Sequence, residues 1–148
     1  MPVKGIFWSV THKPDVVGGV VADFPVGMDI EQIRPVSTRV FNRIVSSQEA
    51  AQFAGQDASL IFFRAFTAKE AVLKMLAIGL KGLGQVTISS VENEKKMVIQ
   101  YLDHQYGVEN FYFDSYLATI TQKHCKVHWT IEQTIQGEHT WKRETDLS

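Results

Sequence analysis

Apolar and polar positions alternate in short runs at the start of the chain and again through its second half, and helical spacing is confined to the middle. FWSVTHKPDVVGGVVA predicts a strand, a turn punctuated by Pro14 and Asp15, and a second strand in which Gly18 and Gly19 permit a bulge or a close backbone approach. FPVGMDIE predicts a third short strand, with Gly27 allowing tight packing of its backbone. Strand alternation sends Met28 and Ile30 to one face and Asp29 and Glu31 to the other, and Gln32–Pro35 turns the chain out of the sheet.

Two short helices are predicted next. One covers Thr38–Ile44 and is entered through Ser37 and Thr38; the other starts at a Ser46 or Ser47 cap and runs to Phe53, with Glu49 placed for the reciprocal cap. GQDAS interrupts the pattern. Thr67–Ile78 then reads as the clearest helix, capped by Thr67 with Glu70 as the capping-box acid, and closed by Gly79. Past Gly82 and Gly84, the runs QVTISSV, KMVIQYL, NFYFDSYLATITQ and KVHWTIEQTI are rich in β-branched and aromatic residues and predict strands. EHTWKRETDLS ends the chain as an edge strand or a loose tail. The sum is an α+β fold, an antiparallel sheet packed against helices.

Composition narrows the picture in a few places. A length of 148 residues suits one domain over 1–148, and 45% hydrophobic with 21% charged residues is a globular balance. A net charge of -1 argues against non-specific binding to nucleic acid or to an anionic membrane, while leaving room for a local basic pocket. Cys125 is the single cysteine, so neither an internal disulfide nor a cysteine-based zinc site is expected. The start lacks the pattern of a secretory signal, and no apolar run is long enough to span a bilayer, so the expected location is cytoplasmic.

Asp29, Glu31 and Glu70 are the carboxylates with chemical promise. Brought together, their oxygens suit magnesium, which neutralises charge on phosphoryl groups. Glu70 and Lys74 share a helical face, Lys69 flanks them, and His12 and Lys13 could add donors for an anion. Each group also has a plainer reading. Asp29 and Glu31 could solvate an edge strand, Glu70 and Lys74 could form a surface pair worth about 0.2–0.5 kcal/mol, and His12 could be merely exposed. The glycines near Leu80 carry no P-loop signature and read as turns.

Together these segments resemble the Sfp-type phosphopantetheinyl transferases. GMDIE at 27–31 is similar to that family's Gly–hydrophobic–Asp–hydrophobic–Glu motif. FFRAFTAKEAVLKMLAIGL at 62–80 resembles its second motif through KEAVLK, and SVTHK at 9–13 resembles its Ser-His-Ser phosphate-binding region. The order and separation agree over about the first two-thirds of the chain. Phe66 stands where tryptophan is common in the family, and Lys13 where serine is common.

The resemblance implies magnesium held by Asp29, Glu31 and Glu70. It implies coenzyme A phosphates engaged by His12, Lys13, Lys69 and Lys74, and catalysis by Glu70 and Lys74. The implied reaction moves the 4′-phosphopantetheine arm of coenzyme A to a serine of an apo acyl or peptidyl carrier protein. Such carriers are generally acidic, which makes Arg34, Arg39 and Arg43 candidate contacts. Family members usually have two similar halves, and this chain resembles mainly the second. A homo-oligomer is therefore expected to supply the missing wall, a dimer before a trimer. The alternatives are a noncatalytic carrier-binding or assembly subunit, and a magnesium-dependent phosphate enzyme with another acceptor.

Overall fold

A computed structural model describes residues 4–135 and 138–143. Its centre is a five-stranded antiparallel sheet in the order β3-β7-β6-β5-β4, made of β3 (Met28–Gln32), β4 (Val86–Val91), β5 (Lys96–Tyr101), β6 (His104–Phe113) and β7 (Tyr116–Gln122). A hairpin of β1 (Phe7–Lys13) and β2 (Val16–Ala22) runs beside the edge strand β3, and a second hairpin joins β8 (Thr130–Ile135) to β9 (Glu138–Arg143). Helices α1 (Thr38–Ile44), α2 (Ser47–Ala51) and α3 (Ala58–Met75) fill the connection between β3 and β4, and a 3-10 segment covers Leu80–Gln85. The α+β class expected from the sequence is what the chain forms. Of the C-terminal stretch, Glu138–Arg143 pairs as a strand, and residues 144–148 lie outside the described residues.

The alternation in β3 sorts the sheet into two faces. Met28 and Ile30 join Val26, Phe111, Ala118 and Ile120 in a cluster covered by the β1–β2 hairpin and Trp129. Asp29 and Glu31 pair in register with Thr119 and Leu117 on the opposite face, where α3 packs. Gly27 fits that crossing because a Cβ there would collide with the Ala71 carbonyl oxygen and lie 2.7 Å from the Met75 nitrogen. Beyond it, Ala65, Ala68, Val72 and Leu73 of α3 meet Val86, Ile88, Met97, Ile99 and Val108 in the larger core cluster.

Helix α3 begins at Ala58, well before the predicted start at Thr67, and it ends at Met75 rather than Ile78. Its cap is Asp57, inside the segment that reads as an interruption; the Asp57 carboxylate accepts from the Ser59 amide at 3.0 Å. The early turns carry Ile61, Phe62, Phe63 and Ala65 as buried neighbours, so no one-sided apolar stripe marks them as helix. Thr67 is an interior residue. Its hydroxyl donates to the Phe63 carbonyl at 2.7 Å and lies 2.6 Å from the Thr119 hydroxyl. The same buried chain continues through Asn110, which donates to Thr119 at 2.7 Å, to Arg64, which donates to Asn110 at 2.8 Å. The shorter helices follow the sequence more closely: α1 has the predicted bounds, and Ser46 with Glu49 closes the capping box of α2, which stops at Ala51.

Candidate active site

The geometry of β3 against α3 places Asp29, Glu31, Glu70 and Lys74 around one cleft of about 320 Å³, with Thr11, His12 and Lys13 of β1 on its other wall and Phe66 and Leu80 beside them. Glu70 and Lys74 reach the same opening because they are one helical turn apart. The three carboxylates are nearly buried, at 4%, 8% and 9% exposure for Asp29, Glu31 and Glu70. That burial disposes of simple solvation of an edge strand.

Cations satisfy these acids only in part. Lys74 bridges β3, its ammonium 2.9 Å from Asp29 Oδ1 and 3.1 Å from the Met28 carbonyl. Thr11 donates a further hydrogen bond to Asp29 Oδ1 at 3.2 Å, and Lys13 lies 2.7 Å from Glu31 Oε1. Asp29 Oδ2 and Glu70 Oε1 are buried without a hydrogen-bond partner. An orphaned buried carboxylate oxygen is costly, and this cleft holds two of them. Burial pushes the Glu70 carboxyl up from its ordinary pKa, and the charges of Asp29 and Glu31 add to this, against the opposing pull of Lys74 and Lys13. Among the described residues, no three His, Cys, Asp or Glu side chains form a metal-ligand cluster, and Lys74 and Lys13 engage Asp29 and Glu31.

The remaining predicted residues divide. His12 is exposed on the outer face of β1 but lines the cleft. Lys69 does not reach it. Its ammonium is buried on another side of α3, 2.6 Å from the Ile44 carbonyl and 2.8 Å from Glu49 Oε2. The expected approach of Lys69 to phosphate is thus corrected by its place in the helix: a neighbour of Glu70 in sequence points about 100° away around the axis. Arg34 stacks over Phe63 at 5.0 Å and lies 3.8 Å from Glu31 Oε2. Arg34 and Arg43 line an adjoining groove of about 310 Å³ floored by Val36, Val40, Phe62 and Phe66, whereas Arg39 is exposed on α1 outside that lining. Thr11 was not singled out by the sequence reading; its spacing two residues before Lys13 is the signal that puts it on the same strand face.

A larger cavity of about 760 Å³ lies near the end of α3 between Pro25, Met75, Tyr106 and Cys125, but no carboxylate lines it. Size alone would choose that cavity. The chemistry chooses the cleft.

An α+β unit with buried acids and lysines around one cleft defines a class suited to phosphate-group chemistry. Residues 25–125 match the 4′-phosphopantetheinyl transferase superfamily, and the chain belongs to that family. It is 30% identical over 112 residues to the 4′-phosphopantetheinyl transferase psf-1 of Bacillus pumilus, an alignment covering 66% of this chain and 48% of that protein. The chain thus spans about half the length of the curated relative it matches.

Proposed function

We propose that this chain transfers the 4′-phosphopantetheine arm of coenzyme A to a serine hydroxyl of an apo acyl or peptidyl carrier protein, with magnesium in the cleft. The observation that carries this reading is the pair of unpartnered buried oxygens, Asp29 Oδ2 and Glu70 Oε1, in a cleft also lined by His12, Lys13 and Lys74. Asp29, Glu31 and Glu70 would hold the metal, a hard oxygen donor set that fits magnesium. When bound, magnesium neutralises charge on the diphosphate of coenzyme A.

The chain's own side chains do the rest. Lys74, anchored on Met28 and Asp29, presents positive charge to the departing phosphate, and Lys13 and His12 bind phosphate oxygens from the opposite wall. Glu70, or a water beside it in the cleft, takes the serine proton. The serine oxygen forms a new bond to the phosphorus, and adenosine 3′,5′-bisphosphate leaves. Arg34 and Arg43, beside the groove that adjoins Glu31, meet an acidic carrier; Arg39 is the outlying member of that basic set. A homo-oligomer, a dimer before a trimer, belongs to the same reading, as does a cytoplasmic location. Among the described residues, no helix is long and apolar enough to cross a membrane.

One observation favours a second reading, a noncatalytic carrier-binding or assembly subunit: Lys74 and Lys13 already engage Asp29 and Glu31 across the cleft. Incubation with magnesium, coenzyme A and a panel of apo carriers, followed by carrier mass, separates the two. The proposed function predicts a magnesium-dependent gain of one phosphopantetheine arm that is lost in Glu70→Ala. No gain across the panel, beside an active control enzyme, would move the assignment to the noncatalytic role.

A further inference from the structure

A row of buried polar side chains crosses the face of the sheet that α3 covers. Asp29 of β3 pairs with Thr119 of β7, and Thr119 pairs with Asn110 of β6, so register puts all three in one line. Helix α3 lies across this row with Arg64, Thr67 and Glu70, three residues apart along one helical face. Such a step advances about 4.5 Å along a helix, close to the roughly 4.8 Å between neighbouring strands. Arg64 accordingly reaches Asn110, Thr67 reaches Thr119, and Glu70 shares the cleft with Asp29.

The first two pairs are bonded, and their protons are committed. The Arg64 guanidinium is anchored by the Gln56 side chain and the Asn93 carbonyl, and its Nε donates to Asn110 Oδ1. Asn110 Nδ2 donates in turn to Thr119 Oγ1. Thr67 has one hydroxyl proton and gives it to the Phe63 carbonyl at 2.7 Å. Across the 2.6 Å between the two hydroxyls, Thr119 is therefore the donor. The chain starts and ends on α3 and passes through β6 and β7, which fixes the helix at one height on the sheet.

The third pair is different. Glu70 and Asp29 are both acids, each with a buried oxygen that lacks a partner, and two carboxylates in one cleft repel. Lys74 offsets part of that repulsion one turn further on, through Met28 and Asp29. The hydroxyl pair opposes it one turn earlier. A buried polar chain adds little net stability over apolar packing of the same shape, but its bonds are directional and select one geometry. We propose that Thr67 and Thr119 are positioning residues for the candidate cleft: their hydrogen bond sets the height of α3 over β3 and so holds Glu70 at a spacing from Asp29 that one divalent cation can bridge. The pinning of α3 stands on the bonded row alone; its consequence for a cation rests on the transferase reading.

Magnesium titration by calorimetry, with coenzyme A present, is compared in the wild type, Thr67→Val, Thr67→Ser and Val86→Ala. The last truncates the core at the far edge strand β4. Affinity should be about tenfold weaker or more in Thr67→Val. It should stay at the wild-type level in Thr67→Ser, which keeps the hydroxyl, and in Val86→Ala. A merely structural role would move Thr67→Val and Val86→Ala alike. That result would overturn the proposal, as would unchanged affinity in Thr67→Val or a Thr67→Ser variant that binds as weakly as Thr67→Val. Should Thr67→Val not fold, Thr119→Ala removes the middle link in its place. Hydrogen exchange of the metal-free protein keeps the two readings apart. Exchange in Thr67→Val about tenfold faster than in the wild type at residues 68–75, with residues 86–101 unchanged, upholds the pinning. An equal change in both stretches, or none, overturns it. A wild type that binds no magnesium while Thr67→Val shows the local change in exchange sinks the metal reading and upholds the pinning.

Discussion

Lys69 and Glu70 are neighbours on α3, both buried, and they meet opposite environments. Lys69 is fully answered: Glu49 and the Ile44 carbonyl take its ammonium, and Glu49 in turn accepts from the amides of Ser46 and Ile88. Those partners hold the Glu49 carboxyl below its ordinary pKa even though burial, the largest influence, pushes it up. Glu70 has no such set. One oxygen is buried without a partner, two further carboxylates stand nearby, and its proton affinity rises. A buried charge whose hydrogen bonds are complete ties α1 and α2 to the helix. A buried charge left incomplete keeps an uncompensated desolvation cost.

Lys69 and Glu70 should differ most in what their removal does to stability. Lys69→Ala strands Glu49 as a buried unpaired acid and should cost about 3–5 kcal/mol, read as a lower urea midpoint. Transfer per folded molecule should stay at the wild-type level. Glu70→Gln should do the reverse, lowering transfer about 100-fold or more while raising the melting temperature of the metal-free protein at neutral pH. If both variants behave alike, the contrast between the two residues is wrong.

Smaller effects sharpen it. Thr67→Val removes a hydroxyl from the buried chain through Thr119, Asn110 and Arg64, and should cost about 1–3 kcal/mol in chemical denaturation. The pH dependence of stability supplies the finest test. The native state holds the Glu70 proton more tightly than the unfolded chain, so Glu70 reduces stability as pH rises from 4.5 to its raised native value. Glu49 acts oppositely; its contribution is present above 4.5 and is lost as pH falls through its lowered native value. Subtracting the Glu70→Gln profile from that of the wild type, both free of metal, should isolate the first slope. A flat difference would contradict the unpartnered state of Glu70.

Local signals made much of this legible in the sequence. Alternation in β3 placed Asp29 and Glu31 on one face, the spacing of Glu70 and Lys74 put them on one helical face, and Ser46 with Glu49 marked a cap that forms. The start of α3 was hidden because Ile61, Phe62 and Phe63 are buried together, so tertiary packing replaces the stripe that periodicity detects. Lys69 is adjacent to Glu70 in sequence but not in space, since it leaves the helix about 100° around the axis. Its true partners come from α1 and α2, at a separation of some twenty residues that no local pattern reports.

If the unpartnered oxygens of Asp29 and Glu70 form a cation site, a magnesium titration by calorimetry, with coenzyme A present, will read it out. Saturable binding is expected in the wild type and in Lys69→Met, and its loss in Glu70→Gln. Equal magnesium affinity in Glu70→Gln and the wild type would contradict it.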